Sequence, residues 1–334
     1  MTKSINNKKV FVTGATGYIG GAICIELKKR GYYVVGLDQV YRPHLAEYFD
    51  EFIGADFAST HATLRLLEVD PDIIIHCAGT SLVGPSIEEP AKYYHNNVTK
   101  TLLFLNNVTN WQKRKPNGLF MFSSSASVYD TDKVLTEDAP KNPISPYAKS
   151  KYMVEQILDS YEKAYDIKSC IFRYFNACGA VDVIHGQQPE ATHIFARIFE
   201  TKQDKKPFVL FGSNYKTKDG TCVRDYIHVQ DIADAHVVAI ENSLKGVYNL
   251  GIGFGYSNMD CIKVVSDFYN VALSVETGPR RVGDTDSLVA DVSYMKAMTG
   301  WQAERDIKDV VVSLDRWYNS ETFRGYKNGT TYHV

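Results

Sequence analysis

A glycine-rich turn near the start of the chain, between a short apolar strand and a helical segment, constrains the fold most strongly. Residues 8–13 have the pattern of a buried strand that leads directly into the turn at residues 14–20. Apolar residues then recur at helical spacing over residues 22–30, and a second apolar strand, residues 33–37, ends in Asp38. Strand, glycine turn, helix, strand and acid follow one another in the order of a dinucleotide-binding unit.

The residues of this unit indicate which nucleotide it binds. Glycines let the backbone approach a pyrophosphate, whose charge is favoured at a helix N-terminus. Asp38, 18 residues after Gly20, can accept hydrogen bonds from both hydroxyls of an adenine ribose, and it would repel a 2′-phosphate. We therefore expect NAD, with Arg42 keeping NADP as an alternative. The turn does not end in Gly-Lys-Ser/Thr, which argues against a P-loop.

The first half of the chain continues to alternate strands with helices, which predicts an α/β fold with a Rossmann-type, doubly wound parallel sheet. In such sheets ligands bind at the carboxyl ends of the strands. Three of the predicted strand ends carry Asp56-Phe57, Cys77-Ala78-Gly79 and Ser123-Ser124-Ser125. The further strands are predicted at residues 52–56, 72–76, 119–122 and 168–174.

Tyr147 and Lys151 form the candidate catalytic pair. Because they are four residues apart, their side chains project from the same face of a helix. Ser145 suits the N-cap of that helix and Pro146 suits its first position. A cation beside a phenol favours the phenolate and lowers its pKa. Tyr147 is therefore expected to exchange a proton with a substrate alcohol, as carbonyl–alcohol redox chemistry requires.

A change of pattern after Gly179 predicts a second, smaller lobe. A chain of 334 residues can form one large domain or two modest ones. Residues 191–202 and 260–272 are expected to be helices of the lobe, whereas residues 226–240 and 248–250 are expected to return to the main sheet. The predicted division is a main domain of residues 1–178, with about 225–251 returning, and a lobe of about 179–224 and 252–334.

Composition narrows the partners and the compartment. The net charge of −2 provides no electrostatic footprint for nucleic acid or an anionic membrane. The six cysteines show neither a Cys-x-x-Cys pair nor a metal-ligand spacing, so no metal is expected, and they are typical of buried thiols in a reducing cytosol. Residues 1–9 are too short and polar for a signal peptide, and no apolar run approaches 18 residues, so a cytoplasmic location is expected.

Several stretches resemble the extended short-chain dehydrogenase/reductase superfamily and, within it, the UDP-glucose (UDP-galactose) 4-epimerase family. The combination of Arg173-Tyr174-Phe175-Asn176 with Arg224-Asp225-Tyr226-Ile227-His228-Val229 is the most specific part of this resemblance. The matching stretches follow the family's order from about residue 8 to about residue 302, and they are residues 13–20, 93–98, 122–129, 145–155, 173–180, 219–229, 248–251 and 279–284.

The resemblance implies roles for individual residues. Tyr147 would be the acid/base, Lys151 would bind the nicotinamide ribose and lower the pKa of the tyrosine, and Ser125 would hydrogen-bond the sugar 4-oxygen. The residues implied for NAD binding are Gly14, Gly17, Tyr18, Ile19, Gly20, Asp38, Gln39, Asp56, Phe57, Cys77, Ala78, Gly79, Ser81, Asn96, Ser123, Tyr147, Lys151 and Tyr174. Those implied for the UDP-sugar are Ser125, Tyr147, Phe175, Asn176, His193, Val209, Phe211, Arg224, Arg281, Asp284 and Leu288.

The implied reaction is reversible epimerisation at C4 of a UDP-hexose. Hydride passes to tightly bound NAD and leaves a 4-keto sugar. This sugar rotates about its diphosphate linkage, and hydride then returns to its opposite face. The family resemblance also implies a homodimer and makes the smaller lobe the UDP-sugar-binding lobe.

The chain departs from the family pattern at three positions. Ser81 stands where many members carry a phosphate-contacting lysine, so weaker phosphate contacts are expected, and Asp130 stands where glycine is usual. Leu288 replaces the bulky tyrosine of some epimerases, which would leave room for a 2-acetamido group and so admit UDP-GlcNAc and UDP-GalNAc.

Other functions of the same fold remain as alternatives. Ala126-Ser127 stands where the 4,6-dehydratases carry an Asp-Glu pair, so no carboxylates are available to eliminate water. A uronate epimerase or decarboxylase is one alternative. A non-catalytic NAD(P)-sensing scaffold is another, but such proteins typically lack the tyrosine–lysine pair.

Overall fold

The computed structural model describes residues 8–129, 134–189, 191–204, 206–280, 284–327 and 332–333. In chain order its strands are β1 (Lys9–Thr13), β2 (Tyr33–Asp38), β3 (Val40–Tyr41), β4 (Glu51–Gly54), β5 (Ile73–His76), β6 (Leu119–Ser125), β7 (Val134–Leu135), β8 (Ser169–Tyr174), β9 (Asn176–Cys178), β10 (Phe208–Phe211), β11 (Val223–His228), β12 (Gly246–Leu250), β13 (Gly255–Ser257), β14 (Val275–Gly278), β15 (Ser287–Ala290) and β16 (Tyr332–His333).

The helices surround these strands and vary widely in length. They are α1 (Tyr18–Lys29), α2 (Thr60–Val69), α3 (Val83–Glu88), α4 (Pro90–Tyr94), α5 (Lys100–Arg114), α6 (Pro146–Tyr165), α7 (Ile194–Asp204), α8 (Val229–Glu241), α9 (Asn258–Tyr269), α10 (Ser293–Thr299), α11 (Ile307–Asn319) and α12 (Glu321–Lys327). A π-helical turn, His95–Thr99, joins α4 to α5. Across the part of the chain that the structure describes, no helix combines the length and apolar character needed to cross a membrane.

A seven-stranded sheet forms the centre of the molecule, with the strand order β12-β8-β6-β5-β1-β2-β4. Every neighbouring pair in it is parallel. The chain runs outward from β1 through β2 to β4 and then crosses to β5, on the other side of β1. The strand order therefore reverses between β1 and β5, which is where open α/β sheets bind ligands.

Helices cover both faces of this sheet, as the alternating pattern predicts. Helices α1 and α8 pack on one face and bury residues such as Ile23 and Val237. Helices α2, α5 and α6 pack on the other face, where Leu66, Trp111 and Leu158 are buried. Because both faces are covered, β5, β6 and β8 are buried along their whole length.

The smaller lobe is built on a separate core. Strand β10 pairs with β14, and a second sheet has the order β13-β11-β15-β7, with β9 also paired to β11. Helices α7, α9 and α11 contribute Phe199, Val265 and Trp317 to the core of the lobe. The predicted helices of this lobe are confirmed, with bounds shifted by two or three residues.

Two sequence predictions about elements are corrected. Helix α1 begins at Tyr18, four residues earlier than predicted, because Gly17 is its N-cap and the glycine-rich turn itself forms the first helical turn. Residues 226–228 belong to β11 and do not return to the main sheet, since the partners of β11 are β9, β13 and β15, whereas residues 229–240 lie in α8, which packs on the main sheet as expected. Strand β12 does return, as the parallel neighbour of β8. A buried apolar strand has the same pattern in either sheet, so its partners are decided by tertiary packing.

The tight turn at the end of β1 provides a test of this fold. A Cβ at Gly20 would lie 2.1 Å from the carbonyl oxygen of Gly14, a backbone atom that cannot move aside. We expect Gly20→Ala to lower the free energy of unfolding by about 1–3 kcal/mol through overpacking. Urea denaturation measures the change. Gly84→Ala is the matched control, because a Cβ there meets nothing within 4 Å, and an equal loss in both variants would contradict the prediction.

Candidate active site

The crevice between the ends of β1 and β5 is lined by closely packed backbone. Gly14 has a φ of +69°, and a Cβ on it would lie 2.7 Å from the Ala78 nitrogen. Gly79 has a φ of +155°, and a Cβ on it would lie 3.0 Å from Asn97 Oδ1 and 3.6 Å from Lys151 Nζ. Side chains are therefore excluded on both sides of the crevice, which leaves backbone groups open to a pyrophosphate or ribose.

Asp38, the last residue of β2, is joined to the glycine-rich turn. Its Oδ2 accepts a hydrogen bond from the Thr16 amide at 3.0 Å, and its Oδ1 accepts one from the Val40 amide at 3.2 Å. Each carboxylate oxygen has a second lone pair, so the partly exposed group can still accept from ribose hydroxyls. The structure thus places Asp38 where the sequence predicts it.

Arg42 lies behind the turn. It is 6% exposed, and its Nε donates to the carbonyl oxygen of Thr16 at 3.0 Å. Its guanidinium lies 4.9 Å from the ring centroid of Tyr326. Because Arg42 is buried against the turn, the alternative in which it receives a 2′-phosphate is disfavoured.

The predicted adenine-flanking residues differ in their placement. The Asp56 carboxylate accepts from the Ala58 amide at 2.9 Å and forms an ion pair with Lys100, and exposed Gln39 approaches it at 3.5 Å. The Phe57 side chain is 5% exposed and packs in the core, so only the backbone of Phe57 is available to a cofactor.

Asn97, which sequence reasoning missed, holds the loop after β5. Its Oδ1 accepts from the Thr80 amide at 2.7 Å, and its Nδ2 donates to the Thr80 carbonyl and to Ser150 Oγ, both at 2.9 Å. Asn96 Nδ2 donates to Thr80 Oγ1 at 2.8 Å. The Ser81 carbonyl accepts from the Tyr93 hydroxyl at 2.6 Å. The adjacent asparagines in the stretch 93–98 were the only signal for Asn97.

The end of β6 and the first turns of α6 bring the candidate catalytic residues together. Ser145 caps α6 by accepting from the Ala148 amide at 3.1 Å, as predicted. Tyr147 lies beside Ser125, close enough for a weak hydrogen bond between the two hydroxyls, and Ser125 Oγ also donates to Ser127 Oγ at 3.1 Å. Lys151 Nζ donates to the carbonyl oxygen of Ser123 at 2.9 Å. The serine, the tyrosine and the lysine therefore form one polar group at the edge of the crevice.

Burial dominates the electrostatics of this group. Burial raises the pKa of Tyr147 above its ordinary value, and the hydrogen bond with Ser125 lowers that pKa in part. Burial also lowers the pKa of Lys151 to about 8. In both groups desolvation disfavours the charged form, and the lowering of the Tyr147 pKa by Lys151 stays a prediction.

A buried hydrogen-bonded chain continues from this group through the sheet. Ser123 Oγ donates to Cys77 Sγ at 3.2 Å and shares a hydrogen bond of 2.9 Å with the Tyr174 hydroxyl. That hydroxyl shares a hydrogen bond of 3.0 Å with His236 Nε2. The other ring nitrogen of His236, Nδ1, is hydrogen-bonded to the carbonyl oxygen of Ile232, one helical turn earlier in α8. The chain fixes the hydroxyl of Tyr174, one of the residues implied for NAD binding.

Helix α1, which begins in the glycine-rich turn, carries two side chains that the family resemblance implies for NAD binding. The Tyr18 hydroxyl donates to the Gly179 carbonyl at 2.7 Å, and Ile19 packs against the core below the sheet. Their side chains therefore stabilise the start of α1, while the turn Gly14 to Gly17 remains open.

Residues implied for the UDP-sugar lie on the lobe side of the crevice. Arg224 forms an ion pair with Asp284, whose other oxygen accepts from the Tyr215 hydroxyl at 2.9 Å. Asn176 Nδ2 donates to the Asp225 carbonyl at 3.0 Å. Tyr215 was not singled out from the sequence.

The other implied substrate residues lie in β10, in β15 and in the connections before β9 and α7. Phe175 is buried in a small cluster with Ala126, and Leu288 packs against this cluster. Val209 and Phe211 are partly exposed on β10, and His193 is exposed just before α7. Arg281 and Asp130 lie outside the described residues. Within the described ranges, no His, Cys, Asp and Glu side chains are grouped to hold a metal ion.

The hydrogen bond between Ser125 and Tyr147 can be tested without a ligand. At pH 10, where an ordinary tyrosine is half ionised, we expect Tyr147 to remain mainly phenol. Ser125→Ala removes the hydrogen bond that lowers the pKa, so the pKa should rise further. NMR titration of ¹³Cζ-labelled tyrosine, assigned with Tyr147→Phe, measures both. An unchanged or lower pKa in Ser125→Ala would contradict the prediction.

Comparison with known proteins agrees with this geometry. Residues 10–251 match the model of the NAD dependent epimerase/dehydratase family. The chain is 37% identical to a UDP-glucose 4-epimerase of Lactobacillus helveticus, covering 96% of this chain and 99% of the relative, and 34% identical to one of Bacillus subtilis, with the same coverage.

Solved structures agree as well. The UDP-glucose 4-epimerase from Bifidobacterium longum in complex with NAD⁺ and UDP has a TM-score of 0.86 and 33% identity, covering 94% of this chain and 99% of that chain. The sequence resemblance and the predicted fold class are confirmed, and the chain belongs to the NAD dependent epimerase/dehydratase family.

Proposed function

We propose that this protein is an NAD-dependent isomerase that interconverts UDP-glucose and UDP-galactose at C4. The observation that carries the proposal is the group of Ser125, Tyr147 and Lys151 at the reversal point of the sheet. Full-length relatives named UDP-glucose 4-epimerase support the same activity. The alternative of a silent scaffold is not favoured, since all three residues are present, with Tyr147 beside Ser125 and Lys151 bonded to the neighbouring Ser123 carbonyl.

The crevice fits a dinucleotide. A side chain at Gly14 would overlap the Ala78 backbone and one at Gly79 would crowd Asn97, so only glycine permits these crevice walls, and α1 has no acidic residue in its first turn to repel a pyrophosphate. In this proposal Asp38 accepts hydrogen bonds from the adenine ribose. Lys151, which lies beside the backbone of Gly79, binds the nicotinamide ribose. Bound NAD supplies a hydride acceptor that can return the hydride within the same active site.

The residues of the chain handle the proton. Tyr147 takes the proton of the C4 hydroxyl as hydride leaves C4, and it returns a proton when the 4-keto sugar is reduced on its other face. Ser125 lies beside Tyr147 and, in this proposal, hydrogen-bonds the same sugar oxygen. Lys151 contributes its ammonium from within the site, held by the Ser123 carbonyl.

The lobe side holds the UDP part. Arg224 offers a guanidinium suited to phosphate oxygens, and its partner Asp284 is held in turn by Tyr215. Asn176 lies near the junction of the lobe and the main sheet. Because the keto sugar must rotate within the site, the reaction needs tight anchoring of the diphosphate and few contacts to the hexose.

The substrate range extends to 2-acetamido sugars. Leu288 packs against the cluster of Ala126 and Phe175, next to Ser125, and a leucine occupies less of the hexose space than a tyrosine would. A structure described as the UDP-Glc/GlcNAc 4-epimerase from Campylobacter jejuni has 30% identity and a TM-score of 0.78, covering 96% of this chain and 100% of that chain. UDP-GlcNAc and UDP-GalNAc are therefore further substrates in this proposal.

In this proposal the protein acts as a homodimer in the cytoplasm. Helices α5 and α6 cover the same face of the sheet, and Leu103 and Met153 on them are 52% and 40% exposed, which suits burial against a second copy. The six cysteines are free thiols, which is typical of a reducing compartment.

The assigned base can be tested by conversion of UDP-galactose to UDP-glucose without added NAD. We expect turnover by the purified protein and a loss of at least about 10²-fold in kcat for Tyr147→Phe, because the phenol hydroxyl carries the proton. Tyr165→Phe, at an exposed tyrosine of the same helix, should retain the activity. Turnover that survives Tyr147→Phe would contradict the assignment.

The acetamido extension has its own test at Leu288. We expect the wild-type protein to epimerise UDP-GlcNAc, and Leu288→Tyr to reduce kcat/KM for UDP-GlcNAc about tenfold or more, because the larger ring fills the space of the acetamido group. The value for UDP-galactose should change less than about threefold. Absence of wild-type activity on UDP-GlcNAc would contradict the proposed acceptance of 2-acetamido sugars. It would not contradict the proposed interconversion of UDP-glucose and UDP-galactose.

A further inference from the structure

A buried ion pair lies directly behind the candidate catalytic group. Glu155 on α6 and Arg173 on β8 have side chains that are 6% and 4% exposed. The contact is bidentate, with Arg173 Nη2 to Glu155 Oε2 at 2.7 Å and Nε to Oε1 at 3.1 Å. Removing two charges from water is costly, and a buried pair is often no better for stability than apolar side chains. The burial of this pair therefore points to a role other than stability.

The remaining hydrogen-bonding capacity of the pair is also used. Ser124 Oγ donates to Glu155 Oε1. Arg173 Nη1 donates to the Tyr129 hydroxyl and to the Glu137 carbonyl, both at 2.8 Å. The pair thereby joins α6, β6 and β8 with the segment that leads from β6 toward β7. With four of the five N–H groups of Arg173 bonded, this polar network selects one arrangement of these elements.

The contacts of Glu155 continue a regular pattern on α6. Tyr147, Lys151 and Glu155 are spaced four residues apart and so share a helix face. Along this face Tyr147 bonds Ser125, Lys151 bonds the Ser123 carbonyl, and Glu155 bonds Ser124. Three successive turns of the helix are thus bonded to three successive residues of β6, and only the third contact involves a charged pair buried away from the crevice.

We propose that Glu155, held by Arg173, is a positioning residue that fixes the rotation and axial position of α6 on β6. This inference rests on the proposed function, since its effect on rate is seen through Tyr147 and Lys151. The rotation matters because a displacement of about 1 Å can cost about 10²-fold in rate when reacting groups must be aligned.

The network extends the same control to the lobe. The Tyr129 hydroxyl donates to Asn249 Oδ1 at 2.7 Å, and Asn249 Nδ2 donates to the Leu135 carbonyl at 2.8 Å. Leu135 belongs to β7, which pairs with β15, the strand that carries Leu288. Glu155 is therefore hydrogen-bonded to β6, the strand that carries Ser125, and is connected through Arg173, Tyr129 and Asn249 to β7, the neighbour of the strand that carries Leu288.

Steady-state kinetics with UDP-galactose test the role. For Glu155→Gln we expect kcat to fall about 10²-fold with KM within about threefold, because alignment is lost while UDP anchoring is kept. Glu155→Gln leaves a buried arginine without its counter-charge and can unfold the protein. The double variant Glu155→Met with Arg173→Met removes both charges, should retain folding, and should show the same low kcat. Recovery of the wild-type kcat in the double variant would overturn the proposal.

A matched control separates positioning from stability. Asp231→Asn also replaces a buried carboxylate that faces an arginine, Arg305, but it lies on α8 away from β6. It should lower the midpoint of thermal unfolding and leave kcat per folded molecule unchanged. A loss of activity in Glu155→Gln that merely follows the folded fraction, as in the control, would overturn the proposal.

Hydrogen exchange distinguishes this proposal from the proposed function. If wild-type protein fails to convert UDP-galactose, the proposed function fails, but the amides of residues 145–151 still report on α6. We expect them to exchange about tenfold faster or more in the double variant than in wild type, with α8 unchanged. Equal exchange at residues 145–151 would overturn the positioning role whatever the substrate.

Discussion

The backbone of Gly14 lies so close to the backbone of Ala78 that a side chain at residue 14 would overlap it. This contact joins the ends of β1 and β5 at the reversal of strand order and defines the crevice from which the rest of the site extends. Asp38 is joined to the turn through the Thr16 amide, and Gly79 brings the opposite wall against Lys151. With side chains at these glycines the walls would separate and the groups assigned to one ligand would no longer face one another.

Within this crevice desolvation outweighs the attraction between charges. The phenol of Tyr147 and the ammonium of Lys151 both have their pKa values shifted toward the neutral form by burial. A tyrosine and a lysine on one helix face are therefore insufficient to produce a phenolate. Ser125 provides the stabilisation that the protein itself supplies, and ligands bring their own charges into the balance. By contrast, the deeper pair of Glu155 and Arg173 stays ion-paired because the two charges face each other in a bidentate contact and both accept or donate further hydrogen bonds.

Much of the architecture could be predicted from local patterns. Short apolar runs bounded by glycines and polar residues marked the strands of the main sheet, and Ser145-Pro146 marked the start of α6. Predictions that required knowledge of distant partners were less successful. Residues 226–228 were expected at the main sheet but belong to β11, and Asn97 was missed because its importance arises from contacts with Thr80 and Ser150, far along the chain. The burial of the Phe57 side chain in the core likewise follows only from tertiary packing.

The sequence by itself determined the order of elements, the glycine-rich turn with Asp38, and the spacing that places Tyr147, Lys151 and Glu155 on one helix face. These properties depend on residues near one another in the chain, where periodicity and turn chemistry act directly. Only the tertiary structure decided how α6 is rotated on β6, which partner each buried charge takes, and in which direction burial shifts the pKa of Tyr147. Those outcomes depend on desolvation and on contacts between elements distant in sequence, and both arise only when the sheet and its helices pack together.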